Sequence, residues 1–135
     1  MKSGSKHVDE MYGNEGNDQM QGWGGDDILH GGEGADMLRG RAGHDKLDGG
    51  QGADVIFGDG GNDIIHGGQG FDTINAGDGN DVVFGGSEND RVYGGTGEDI
   101  LVGGEGTDTI HGEDDDDIIF GNEDKDILRG GFGDD

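Results

Sequence analysis

Aspartate recurs every nine residues along this chain: Asp9, Asp18, Asp27, Asp36, Asp45, Asp54, Asp63, Asp72, Asp81, Asp90, Asp99, Asp108, Asp117, Asp126 and Asp135. Glycines crowd the five residues before each aspartate, as in Gly31-Gly32-x-Gly34, Gly49-Gly50-x-Gly52, Gly67-Gly68-x-Gly70 and Gly103-Gly104-x-Gly106. Gly94-Gly95-x-Gly97 repeats the run before Asp99, and partial versions place Gly77 and Gly79, and Gly85 and Gly86, before Asp81 and Asp90. Carboxylate oxygens together with carbonyls left open by glycine make a donor set for a hard divalent cation, which takes six to eight oxygens. No soft ligand competes: the chain has no cysteine, and its five histidines follow no column, so zinc or copper chemistry is not indicated.

A second column sets the elements that must hold these groups. Two residues after each of the first fourteen aspartates stands Met, Leu, Ile or Val, from Met11 to Leu128, and two further on stands glycine, with Ala76 as the exception. The unit therefore divides into a glycine-rich turn of five or six residues, able to take positive φ, and three residues favouring extended structure, such as Ile100-Leu101-Val102. The middle side chain of the three points to one face. Each turn reverses the chain, so two units, or eighteen residues, complete one coil. Each strand then stacks in parallel on the strand eighteen residues away. No insertion or linker interrupts the fourteen units, and one solenoid domain over 9–135 is expected, with 1–8 as a flexible leader and no cap at the C-terminal end.

Composition demands help from outside the chain. Of 135 residues, 35 are glycine and only 27% hydrophobic, and 32 acidic residues against 8 basic ones leave a formal charge of −24. So acidic and apolar-poor a chain does not bury enough surface to offset its ordering entropy without counter-charge. Nucleic acid is excluded as a partner and an anionic membrane surface is disfavoured, because both would be repelled. No transmembrane segment is present, since no apolar run reaches bilayer-spanning length, and Met1–Asp9 lacks the hydrophobic region of a secretory signal.

The segments GGEGADMLR (31–39), GGQGADVIF (49–57), GGQGFDTIN (67–75), GGTGEDILV (94–102) and GGEGTDTIH (103–111) resemble the nonapeptide of RTX, or haemolysin-type, calcium-binding repeats. The resemblance covers about Asp9 to Asp135. It implies an all-β, right-handed parallel β-roll of two short-strand sheets with calcium held in the turns. Residue by residue, it carries the ligand role to the aspartates Asp18 to Asp135 and to the turn glycines named above. Asp54 and Asp72, for instance, would share an ion with carbonyls of turns 49–54 and 67–72. The family belongs to proteins exported by Gram-negative bacteria, among them toxins, proteases, lipases and adhesins. An extracellular location after type I secretion, with folding driven by calcium, is therefore implied. Fourteen turns make seven on each edge and six gaps per edge, hence at most about twelve ions.

The edges are not equal in sequence. The turns at 31–36, 49–54, 67–72, 85–90 and 103–108 keep their second glycine, whereas on the other edge that position is Trp23, Arg41, Asp59, Gly77, Gly95, Glu113 and Gly131. Glu88, Asp115 and Asp124 replace the third glycine. Side chains at these positions should strain a positive-φ turn, so the complete turns are expected to bind tightest. The outward rows of one sheet, Ile64, Val82, Ile100 and Ile118 beside Phe84, Val102 and Phe120, form an apolar face suited to a neighbouring domain or a second copy. An adhesion or carbohydrate-contacting role for the outer faces is the alternative, with Tyr93 and His111 as its support. No HExxH, GxSxG or GxxxxGK[ST] motif occurs. His30, Asp48 and His66 share an outward row, but no catalytic role is expected on a flat face.

Overall fold

The computed structural model describes Met1–Asp135, and every regular element in it is a strand. In chain order these are β1 (Lys2–Ser3), β2 (Glu10–Glu15), β3 (Gln19–Gly24), β4 (Ile28–Glu33), β5 (Met37–Ala42), β6 (Lys46–Gln51), β7 (Val55–Gly60) and β8 (Ile64–Gln69). They continue with β9 (Thr73–Asp78), β10 (Val82–Ser87), β11 (Arg91–Thr96), β12 (Ile100–Glu105), β13 (Thr109–Asp114), β14 (Ile118–Asn122) and β15 (Ile127–Phe132). Odd-numbered strands form one eight-stranded sheet and even-numbered strands a seven-stranded sheet, each in simple sequential order. All pairings are parallel at a register of eighteen residues, for example Val83↔Leu101 and Val92↔Ile110. This is the β-solenoid with eighteen residues per coil that the two columns require.

The strands are longer than the three residues expected. Pairing resumes after the aliphatic triplet, so that Gly86↔Gly104 and Ser87↔Glu105 continue the ladder begun at Val82↔Ile100, and it skips only the first glycine. Six residues per strand leave three for the turn. Glycine costs a strand its side-chain packing, but here the backbone of the stacked coil supplies the missing partner.

The core is a single file of aliphatics between the sheets. Met20, Leu29, Leu38, Leu47, Ile56, Ile65, Ile74, Val83, Val92, Leu101 and Ile110 are sealed, Ala76 joins them, and Met11 and Ile119 are partly buried. Leu128, the last of the column, is 47% exposed, because its strand β15 has a neighbour on one side only. At the other end, the residues read as a leader contribute a strand: Lys2↔Met20 and Ser3↔Gln21 pair β1 with β3. Gly4 then begins a further turn that ends at Asp9, its amide donating to the Gln21 carbonyl at 2.7 Å.

The outward rows fall as the register demands. Ile64, Val82, Ile100 and Ile118 stack in one row and Phe84, Val102 and Phe120 in the next. Ile118 and Phe120 are each more than half exposed, and nothing in the chain covers this face. On the same sheet Tyr12 stacks on His30 with ring centroids 4.9 Å apart, and His66 on Phe84 at 4.8 Å.

Candidate metal centre

The register of eighteen places the aspartates in two files. Asp18, Asp36, Asp54, Asp72, Asp90, Asp108 and Asp126 line one edge of the solenoid, and Asp9, Asp27, Asp45, Asp63, Asp81, Asp99, Asp117 and Asp135 the other. Burial is complete in the middle of both files, from Asp27 to Asp117, and fades at Asp18, Asp126 and Asp135.

Each carboxylate has two oxygens with different surroundings. The backbone N–H of Asp54 donates to Asp72 Oδ1 at 2.8 Å, and that of Asp63 to Asp81 Oδ1 at 2.7 Å. The same bond joins every neighbouring pair on both files, from Asp9 and Asp27 to Asp117 and Asp135. It crosses thirteen gaps, one more than the twelve counted from sequence, because the Gly4–Asp9 turn adds a gap. The second oxygen has no partner. In all eleven sealed aspartates Oδ2 is buried without a hydrogen bond, an arrangement that costs free energy unless a cation satisfies it.

The glycines shape the space beside that oxygen. A side-chain carbon at Gly67 would lie 2.6 Å from Asp72 Oδ2 and 2.4 Å from the carbonyl oxygen of Gly85, so the first glycine of the turn leaves room where both oxygens face. Gly31, Gly49, Gly85, Gly94 and Gly103 stand in the same relation to Asp36, Asp54, Asp90, Asp99 and Asp108. The second and third glycines serve the backbone instead. Gly68 has φ +113°, and a carbon added to it would meet the Gly50 carbonyl at 2.2 Å. Gly32, Gly50, Gly77, Gly86, Gly95 and Gly104 share that positive φ, as do Gly34, Gly52, Gly70, Gly79, Gly97 and Gly106.

Where glycine is replaced, the backbone keeps its conformation: φ is +85° at Trp23, +91° at Arg41, +73° at Asp59, +87° at Glu113, +74° at Glu88, +80° at Asp115 and +74° at Asp124. Three of these residues, Trp23, Arg41 and Asp59, follow one another in register along the second edge. The Arg41 guanidinium lies over the Trp23 ring at 4.9 Å, and Arg39 pairs with Asp59 through a 2.8 Å bond from Nη2.

The electrostatics of the site disfavour ionised carboxylates. Burial away from water pushes Asp63, Asp90 and Asp99 up to about 7 and Asp45 and Asp72 up to about 6; the N–H bond to Oδ1 offsets part of this and neighbouring carboxylates add to it. Asp27, Asp54, Asp81, Asp108 and Asp117 are raised for the same first cause. A cation beside Oδ2 would reverse the balance by favouring the charged form. No three Asp, Glu or His side chains converge on one point, so an ion here must draw most of its oxygens from turn carbonyls. A donor set of this kind, rich in carbonyls and hard throughout, fits calcium. His30 and Asp48 approach at 3.4 Å in a shallow depression of about 200 Å³ shared with His66, whose ring is stacked on Phe84 instead.

The division of labour between Oδ1 and Oδ2 was not readable from the sequence, since it depends on how a residue eighteen positions away is oriented. The aspartate column itself was the only signal.

No curated protein matches the chain. Family comparison gives a match to the RTX calcium-binding nonapeptide repeat at residues 3–38, 30–65, 39–74, 66–101, 75–110 and 102–135, overlapping segments that run nearly end to end. Coils, turns and paired aspartates thus have one family behind them, and the chain belongs to the RTX calcium-binding nonapeptide repeats.

Proposed function

We propose that this calcium-binding module is disordered where calcium is scarce and folds on taking up several ions outside the cell, as part of a bacterial protein exported by type I secretion. The file of sealed, unpartnered Oδ2 atoms from Asp27 to Asp117 carries the reading. In the ion-free fold those groups oppose ionisation, and a formal charge of −24 opposes compaction. Calcium bound only by the folded state removes both penalties, so binding and folding are one equilibrium. Extracellular calcium modules bind at about 10⁻⁴–10⁻³ M, which suits a chain that stays open in the cytosol and closes on emergence. The exported protein would be a toxin, protease, lipase or adhesin, and the module its calcium-set part.

Circular dichroism during a calcium titration tests this, with magnesium as control. A cooperative gain of β signal is expected with calcium, complete below about 10 mM, and little with magnesium, which dehydrates reluctantly and demands near-octahedral geometry. No gain with calcium over that range would defeat the reading.

A further inference from the structure

The two edges are crossed by the same aspartate bonds but closed by different additional ones. A second set runs the opposite way, from the residue just before each aspartate. Where that residue is Asn, Asp or His, its side chain accepts the backbone N–H of its counterpart one coil on. His44 donates to Asp26 Oδ1 at 2.8 Å, Asn62 to His44 Nδ1 at 2.7 Å, Asn80 to Asn62 Oδ1 at 3.1 Å, Glu98 to Asn80 Oδ1 at 3.2 Å and Asp134 to Asp116 Oδ1 at 2.8 Å. All five bonds lie on the edge of Asp27 to Asp135. The Asp99–Asp117 gap is crossed instead by Gly97 N–H donating to Asp115 Oδ2 at 3.2 Å.

The edge of Asp18 to Asp126 is different. Asn17 Oδ1 accepts such a bond at its start, from Ala35 N–H at 3.0 Å, and beyond Asp72 Asn89 Oδ1 accepts another from Thr107 N–H at 2.9 Å, while Glu88 Oε2 accepts from Gly70 N–H of the preceding coil at 2.8 Å. Between them the residue before aspartate is Ala35 or Ala53, whose methyl accepts nothing. The gaps Asp36–Asp54 and Asp54–Asp72 therefore hold stacked, sealed carboxylates with one crossing side-chain bond each, from the aspartate itself. The three turns that bound them, 31–36, 49–54 and 67–72, also keep every glycine. Their counterparts across the solenoid hold Trp23, Arg41 and Asp59.

We propose that the calcium dependence of folding resides in the Asp36–Asp54–Asp72 run. The opposite edge is held over the same coils by side-chain bonds that need no ion. This rests on the calcium reading above and adds to it where the requirement lies. An ion contributes most where little else draws the coils together and where no bulky side chain constrains the turn.

Two double variants compare the edges: Asp54→Asn with Asp72→Asn, and Asp63→Asn with Asp81→Asn. Asparagine keeps the Oδ1 acceptor and removes the charge. The first pair should raise the calcium midpoint of the β transition by about tenfold or more, and the second by less than about threefold. Loss of folding in the first pair alone also supports the proposal. Equal shifts, or a larger shift or loss of folding in the second pair alone, overturn it. If neither pair folds, Ala35→Asn with Ala53→Asn decides, since it grafts the missing acceptors onto the first edge. That variant should lower the midpoint, and an unchanged or higher midpoint overturns the proposal. A wild-type chain that gains no structure with calcium would instead defeat the underlying calcium reading.

Discussion

A single aspartate does two jobs here, and its two oxygens divide them. Oδ1 ties the coil to its predecessor through a backbone N–H, and Oδ2, buried without a partner, is the oxygen the proposed reading gives to a cation. The sequence showed that the aspartates form a column and that glycine carbonyls surround them. Which oxygen does what, and the orphaning of the second, appears only when coils stack. The electrostatic consequence has a definite sign. The ordinary aspartate value is 3.8, and burial lifts Asp63, Asp90 and Asp99 to about 7 in the ion-free fold. A raised value means that the fold takes up protons more readily than the open chain. This contribution to ion-free stability is complete below about pH 4 and is lost as pH rises through about 6 to 7. If calcium binds beside Oδ2 as proposed, protons and calcium compete for the same oxygens. The calcium midpoint at pH 5.5 should be higher than at pH 7.5, and the ion-free chain should gain some β signal between pH 7.5 and 4.5. A midpoint indifferent to pH would show that these carboxylates do not titrate as the buried geometry requires.

At the scale of the element, the aliphatic column sufficed to place fourteen strands and their parallel register. It did not give their length, because glycines that read as turn continue the ladder once a stacked coil supplies partners. Nor did it reveal β1, whose residues carry no aliphatic at the repeat position and pair through backbone alone. The turns that depart from glycine retain positive φ, which disfavours a side chain by about 1–2 kcal/mol in the left-handed region. Glu113, at φ +87°, is therefore a site where the native residue is not the most stable one. Replacing it by glycine should raise stability at saturating calcium by about 0.5–1 kcal/mol, after the entropy that glycine adds to the open chain. Denaturant unfolding measures this. A less stable Glu113→Gly protein would contradict the assigned strain. Asp59→Gly should gain nothing comparable, because it also removes the partner of Arg39.

Over the whole molecule, stability and charge are one problem. The core is one sealed aliphatic per nine residues, flanked by two files of buried carboxylates. Thirteen gaps are available, and a divalent ion in each would carry 2 × 13 = +26 against the formal −24 of the chain. On the proposed reading, near-neutrality at full loading would let so acidic a sequence form a compact solenoid, and the chain is expected to open when the ions leave. The repeat periodicity makes that architecture legible in the sequence. The inequality of the two edges was visible in sequence only as missing glycines; the crossing bonds of Asn62, Asn80 and their equivalents emerge from the eighteen-residue stacking. The most direct measurement is a crystal structure of the calcium-loaded protein with anomalous scattering. It should show calcium about 2.3–2.6 Å from the Oδ2 atoms of Asp54 and Asp72, with turn carbonyls completing the shell. Ordered coils with no anomalous peak beside those oxygens would contradict the account.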